Sequence, residues 1–231
     1  MRHSREYLED VARKVASTHG YTVDEATFTR NKEFNLAWRV RDDHVVLKIS
    51  DYIDEAPEPV VADAVDMCFR HIRRSRRRTF GDDFLSYMRS DEFVLLKRPV
   101  YVKRSRNMTM SPLGSCRNIE DSVQRLYDAG LLRDSDIDNS VFTWTIRPNY
   151  TKMGYCSTMM RVVAISSVLD DPKYSDNVLD EVVYHECLHL RQGYRPFDHN
   201  PHDAAFRRDM KLFPGLEAAE AELRTIPRAR R

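Results

Sequence analysis

The sequence predicts an α+β protein, because helical and strand patterns follow one another twice in the order helix, strand, strand, helix. At 231 residues and 42% hydrophobic content, the chain is long enough to bury one large or two small cores. It contains only 7 glycines, and its 32% charged fraction supplies a well-solvated surface. This composition is typical of an ordinary soluble globular protein and does not favour disorder.

The first module is predicted from residues 4–75. Apolar residues recur at helical spacing over 4–17, and Gly20 closes that helix. The alternating segments 34–40 and 45–49 flank a turn and predict a β-hairpin. An apolar stripe over 59–75 then predicts a second helix, which ends in a run of arginines.

A less regular connector follows over residues 80–115. Two short apolar runs, 93–96 and 100–102, are typical of strands. The loss of a regular pattern here predicts a domain boundary. The predicted divisions are an N-terminal αββα module at 1–105, a second domain at 106–218 and a charged C-terminal tail at 219–231.

The helix and strand patterns then begin again. The predicted elements are a helix at 118–128, strands at 141–146 and 161–166, and a helix at 177–192. Ser175 and Asp176 are both good N-caps for this last helix, and Gly193 is suited to its C-terminal end. The helix should therefore be well formed and packed against a core.

The last helix carries the sequence HECLH at residues 185–189, an HExxH motif. Residues four apart share one helix face, so His185 and His189 can bind one metal ion while Glu186 points toward a metal-bound water. Catalytic zinc commonly has three protein ligands and one open position. The motif therefore requires a third ligand from downstream.

Two downstream histidines are candidates for that ligand. Asn200 and Pro201 are predicted as N-cap and first residue of a further helix. His202 would then lie in the first turn, with Phe206 one turn later as a packed anchor. His199 precedes the helix and could be a neighbour of the site or a surface residue. We favour His202 and leave His199 open.

These residues predict a zinc-dependent hydrolase. Zn²⁺ bound by His185, His189 and His202 would lower the pKa of its water toward neutrality. Glu186 would act as general base, taking the proton and returning it to the leaving amine. The predicted reaction is hydrolysis of a peptide bond by a metal-activated water.

The ordered features from about residue 118 to 214 resemble SprT-like and YgjP-type zincin metallopeptidases. The resemblance rests on the helix at 119–127, the strand at 142–144, the segment 153–157, the strand ending at 163–166, the HExxH motif, and His202 followed by Phe206. It implies a compact, zincin-like protease with a polypeptide substrate, and some relatives act on DNA-bound proteins. Asp203 stands where the family usually has glycine, and no cysteine-rich zinc ribbon follows.

The second module repeats features of the first, which suggests an internal duplication with a degenerate first copy. Aligning the final helices puts Met67 and Cys68 at the positions of the motif's first histidine and glutamate, with His71 at the second histidine. Such a copy could not carry out HExxH chemistry. The comparison also pairs Trp38 with Trp144. Chance similarity of short segments is the alternative.

Positive charge is concentrated between residues 70 and 106, where 12 Lys/Arg face 4 Asp/Glu, a local charge of +8 in a chain of net charge +1. The densest part, 70–78, is either a solvated helix end or a phosphate-binding surface. The alternative function is thus a non-catalytic, zinc-stabilised nucleic-acid-binding protein. The residues that would contact DNA, or a DNA-bound protein, are Arg73, Arg74, Arg76, Arg77 and Arg78.

The sequence contains no apolar run of membrane-spanning length and no apolar secretory segment near its start. Its four cysteines are scattered without a CxxC pair, a pattern typical of reduced thiols. A cytoplasmic location without membrane attachment is therefore expected.

Overall fold

The computed structural model describes residues 2–75, 79–194 and 200–227. The protein is α+β and divides into two compact units, Met1–Arg104 and Ser105–Arg231, which we call unit 1 and unit 2. The division falls beside the boundary expected between residues 105 and 106. Within the described ranges, no helix is both long and apolar enough to cross a membrane.

Unit 1 is built around a three-stranded sheet. Its elements are α1 (Arg5–His19), β1 (Thr22–Thr29), β2 (Leu36–Arg41), β3 (His44–Ser50), α2 (Glu58–Ile72), α3 (Asp82–Arg89) and α4 (Asp91–Ser105, which ends at the unit boundary). The central strand β3 pairs antiparallel with β2, as the predicted hairpin requires, and parallel with β1. Gly20 ends α1 at φ 77°, a conformation that glycine adopts without a steric penalty.

The strand interpretation of residues 93–96 and 100–102 is wrong, because both runs lie in helix α4. The backbone N–H of Phe93 donates to Oγ of Ser90 at 3.2 Å, which satisfies a donor in the first turn. Phe93, Lys97 and Tyr101 are buried at four-residue intervals along one face. A short apolar run cannot distinguish a strand from a helix segment, and tertiary packing decided between them.

Unit 2 also contains a three-stranded sheet. Its elements are α5 (Ile119–Asp128), α6 (Asp134–Ile137), β4 (Val141–Trp144), β5 (Gly154–Ser157), β6 (Val162–Ile165), α7 (Asp176–Gln192), α8 (Ala204–Met210) and α9 (Leu216–Thr225). The central strand β6 pairs parallel with β4 and antiparallel with β5. The predicted strands at 141–146 and 161–166 are thus parallel neighbours, and β5 intervenes between them in the sequence.

Helix α7 is the central helix of unit 2. Oγ of Ser175 accepts the N–H of Val178, so the predicted cap is present. The helix contacts α5, α8 and α9 as well as the sheet, and an apolar core surrounds it. The separate tail expected from residue 219 is wrong at its start, because α9 crosses that position and both Ala219 and Ile226 are buried.

The two units share one topology. Each has a helix, three strands with the third in the centre, a short 3₁₀ turn after a serine (Ser50 or Ser166) and a long helix. The pairing of Trp38 with Trp144 is wrong, because Trp38 lies in β2 whereas Trp144 lies in β4, which corresponds to β1. Met67 lies buried in α2 on the core side of the helix.

Candidate metal centre

Three imidazoles converge in unit 2. His185 and His189 come from the second half of α7, and His202 comes from the loop before α8. Their ring centroids are 5.0–5.1 Å apart. One nitrogen from each ring lies within 4.8 Å of the other two. The three predicted ligands are therefore close enough to bind a single ion.

The geometry fits a metal ion. Nε2 of His185 lies 3.2 Å from Nε2 of His202. Two nitrogens bound at about 2.0–2.1 Å to a tetrahedral ion would lie about 3.3 Å apart. Burial, reinforced by the other two histidines, lowers the pKa of His185 to about 4. The imidazole is therefore neutral near pH 7, which is the form that binds a metal.

The orientation of His189 is also suited to a ligand. Its Nδ1 lies 3.3 Å from Oε1 of Gln192, so an Nδ1–H can donate to that amide oxygen. Such a hydrogen bond leaves Nε2 for the metal and holds the ring plane in place. Gln192 is the last residue of α7, one turn beyond the histidine.

Phe206 supports all three imidazoles from one side. Its ring centroid lies 4.7–4.9 Å from those of the three histidines, and its side chain is buried. The anchoring role expected for Phe206 thus extends from His202 to the whole cluster. An apolar ring in this position limits the rotation of the imidazoles.

The expected start of the final helix is wrong. Asp203, rather than Asn200, is the N-cap, since its Oδ1 accepts the N–H of Phe206 at 2.8 Å. His202 therefore precedes the helix instead of lying in its first turn. Oδ1 of Asn200 accepts the N–H of His202 at 3.0 Å, and the His202 carbonyl accepts from Arg207 at 2.7 Å. These two hydrogen bonds hold the loop backbone at His202, the candidate third ligand. His199 lies outside the described residues.

Glu186 lies beside the cluster and is 7% exposed. The α-carbon of Gly154, in β5, faces this side chain. A β-carbon on Gly154 would lie 2.6 Å from Cγ of Glu186 and closer still to Oε1. A side chain at position 154 would therefore displace the carboxylate. The sequence pattern did not identify this requirement, because the two residues are brought together only by packing of α7 on the sheet.

Burial raises the pKa of Glu186 to about 8, with a further upward contribution from Glu181 and a downward one from Lys152. A bound metal cation would act in the same direction as Lys152 and favour the carboxylate. A group whose pKa lies near neutrality can both accept and return a proton. This is the behaviour expected of a general base that later acts as an acid.

A cavity of about 580 Å³ opens beside Glu186 and His185. Its walls are mainly apolar and come from α7, α8, α9 and the residues before β5. The apolar lining consists of Met153, Val182, Phe206, Met210, Leu216 and Leu223. A second cavity of about 410 Å³ is lined by the three histidines, by Tyr155 and Cys156 of β5, and by Thr158 just after that strand. Both reach the candidate metal centre.

Two other residues near the motif have structural roles. Cys187 is fully buried, and burial raises its pKa far above the usual range of a thiol. Such a thiol remains protonated and inert. The hydroxyl of Tyr184 donates to the carbonyl of Asp209 at 2.9 Å and so joins α7 to α8.

Arg191 connects α7 to two neighbouring elements. Its Nη2 lies 2.6 Å from Oδ2 of Asp136 and donates to the carbonyl of Leu131 at 2.8 Å. Its Nη1 lies 3.2 Å from Oδ2 of Asp209. The Asp136 side chain is 2% exposed. This network holds the end of the histidine-bearing helix, and the sequence pattern did not reveal it.

Arg191→Ala is expected to destabilise unit 2 by about 3–5 kcal/mol, because the buried Asp136 carboxylate would lose its cation. The free energy of unfolding can be measured in urea by tryptophan fluorescence. Because the chain has 2 tryptophans, both proteins should also carry Trp38→Phe, so that the signal comes from Trp144 in unit 2. Arg208, whose side chain is 73% exposed, is the matched control, and its replacement should change stability by less than about 0.5 kcal/mol. Equal effects of both variants would contradict the buried-pair interpretation.

The arginine-rich segment is described in part. Arg70 forms an ion pair with Asp66 and donates to the carbonyl of Thr79 at 2.8 Å. It therefore has a structural role in unit 1. Arg73 and Arg74 are exposed after the end of α2, where phosphates can reach them. Arg76, Arg77 and Arg78 lie outside the described residues, so their contact with DNA stays a prediction.

The candidate metal centre thus combines three converging imidazoles, a buried carboxylate and two adjoining cavities within unit 2. Its possible chemistry follows from these side chains and their distances. No protein-family model, curated protein or solved structure matches this chain.

Proposed function

We propose that this protein is a zinc-dependent metallopeptidase whose unit 2 is a zincin-like domain of the SprT-like or YgjP type. The observation that carries the proposal is the approach of His202 to the two motif histidines, 17 residues away in the sequence from His185. An HExxH sequence alone provides two ligands. The third converging imidazole makes a complete three-histidine set.

Zinc is the metal that this ligand set favours. Three imidazoles without a cysteine cage are typical of catalytic sites, where one coordination position stays open for water or substrate. When bound, zinc would supply a Lewis acid for the scissile carbonyl and lower the pKa of a water molecule. The adjoining cavities provide the space that an open position requires.

The remaining chemistry is assigned to the chain's own residues. The Glu186 carboxylate accepts the proton of the attacking water and returns it to the amine leaving group. Gly154 leaves the space in which this carboxylate lies. Phe206 packs against the three imidazoles and limits their rotation.

The second cavity supports a polypeptide as substrate. Strand β5 is at one side of the sheet order β4-β6-β5 and borders this cavity at Tyr155 and Cys156. An edge strand offers backbone N–H and C=O groups that an extended peptide can pair with. Backbone pairing would align a peptide bond with the three histidines without requiring a particular sequence.

Metal depletion tests this proposal. The purified protein should contain one zinc per chain and hydrolyse an unstructured protein such as casein. Chelation with 1,10-phenanthroline should abolish hydrolysis, and added zinc should restore it, because the water-activating group is removed and replaced. Absence of stoichiometric zinc, or hydrolysis that survives chelation, would overturn the proposal.

A further inference from the structure

One buried carboxylate beside the metal centre has no role in the proposed chemistry. Glu181 lies in α7, four residues before His185 and therefore on the same helix face. It lines the 580 Å³ cavity and is 6% exposed. Burying most of a charged side chain is costly unless a partner compensates for the lost hydration, and the cavity is where such a partner would lie.

No such partner is found in the described parts of unit 2. Among those residues, none forms a hydrogen bond or an ion pair with the Glu181 carboxylate. Burial, followed by repulsion from Glu220, raises its pKa to about 7. No cation of the described residues offsets these effects. Within the described ranges the carboxylate is therefore unpaired, and the space beside it is the cavity.

The lining of the cavity indicates which kind of ligand could supply the missing positive charge. Val182, Leu216 and Leu223 provide apolar walls in the same cavity. A ligand that fits both the apolar walls and the buried carboxylate has an aliphatic stem and a cationic end. The side chains of lysine and arginine have this structure, and they bury their stems while keeping the charge in a polar contact. The cavity volume is within the usual range of about 300–1,000 Å³ for binding pockets.

We propose that this cavity binds a lysine or arginine side chain, with Glu181 as the specificity-determining carboxylate. Because His185 and Glu186 line the same cavity, the bound side chain belongs to a substrate residue next to the scissile bond. This assignment to a substrate rests on the proposed peptidase function. The affinity of the cavity for an aliphatic cation does not depend on it.

The other charged residues of the cavity are compatible with this role. Lys152, Arg207 and Lys211 are exposed at its rim, where solvent and salt screen their charge. Glu220, also exposed, pairs with Arg224 at 3.6 Å. The screened rim cations therefore oppose a cationic ligand less strongly than the buried carboxylate attracts it.

Binding of N-butylguanidinium to the zinc-loaded full-length protein tests the proposal by calorimetry. The neutral isostere N-butylurea is the matched probe, and neither compound is a good zinc ligand. Butylguanidinium should bind about 10–100 times more tightly than butylurea, since a hydrogen bond to a charged group contributes roughly 1.5–3 kcal/mol. Glu181→Gln should remove this preference and leave butylurea binding unchanged.

Glu220→Gln is the control variant, and it should keep the preference because that carboxylate is exposed and paired with Arg224. Equal binding of the two probes to the unsubstituted protein would overturn the proposal, as would a preference that survives Glu181→Gln. The comparison on the unsubstituted protein requires no variant to fold. A protein without zinc and without hydrolysis would contradict the proposed function, while the probe comparison would still report on the cavity.

Discussion

Replacing Glu186 with glutamine is expected to lower peptide hydrolysis by about 10²–10⁴-fold, the usual contribution of a general acid or base. Glutamine has nearly the same shape, so it should occupy the space beside Gly154 without disturbing the fold. It cannot accept a proton. The three histidines are unchanged, so the zinc content should remain one ion per chain. Hydrolysis of casein and metal analysis on the same preparation measure the two quantities.

Glu120→Gln is the matched control for this variant, because Glu120 is exposed in α5 and lies outside both cavities. It should retain full activity and zinc. Substantial hydrolysis by the Glu186→Gln protein would remove Glu186 from the mechanism. Loss of zinc together with activity would instead assign Glu186 a role in assembling the site, contrary to the proposed division between base and ligands.

Replacing His202 with alanine is expected to weaken zinc binding by at least about 100-fold, because changes to groups that merely orient a ligand already cost about 10–100-fold. The variant leaves two ligands on α7 and an open side toward solvent. Hydrolysis should be lost at zinc concentrations that saturate the unsubstituted protein. Competition with a chromogenic chelator measures the affinity.

His199→Ala is the informative comparison, because both histidines were candidates in the sequence and only His202 lies among the described residues. We expect the His199 variant to keep its zinc affinity within about threefold, since its ring would at most support the site from outside. If instead the His202 variant kept its zinc affinity and the His199 variant lost it, the third ligand would be His199.

Several parts of this site could be predicted from local sequence. Ser175 and Gly193 bound helix α7 close to the expected positions, because caps act on backbone groups within a few residues. The spacing of His185 and His189 places both on one face of any α-helix. Their capacity to share an ion is therefore a property of the local sequence.

Other parts depended on competition between local signals. Asn200 and Asp203 are both suitable N-caps. Each side chain accepts a backbone N–H, from His202 and Phe206 respectively, yet only Asp203 begins helix α8. Strand β5 is short and lacks a strong alternating pattern, so the parallel pairing of β4 with β6 was not apparent. The apolar runs in α4 were equally compatible with strands.

The sequence by itself determined the α+β class and the helix with its two motif histidines, and it narrowed the candidate third ligand to His202 or His199. Tertiary structure decided that His202 comes within 3.2 Å of His185, that Gly154 makes space for Glu186, and that Glu181 is buried against a cavity without a cationic partner among the described residues. The physical reason is the range of the forces involved. Helix caps and periodicity act over one or two turns, whereas burial and side-chain contact depend on segments that only folding brings together.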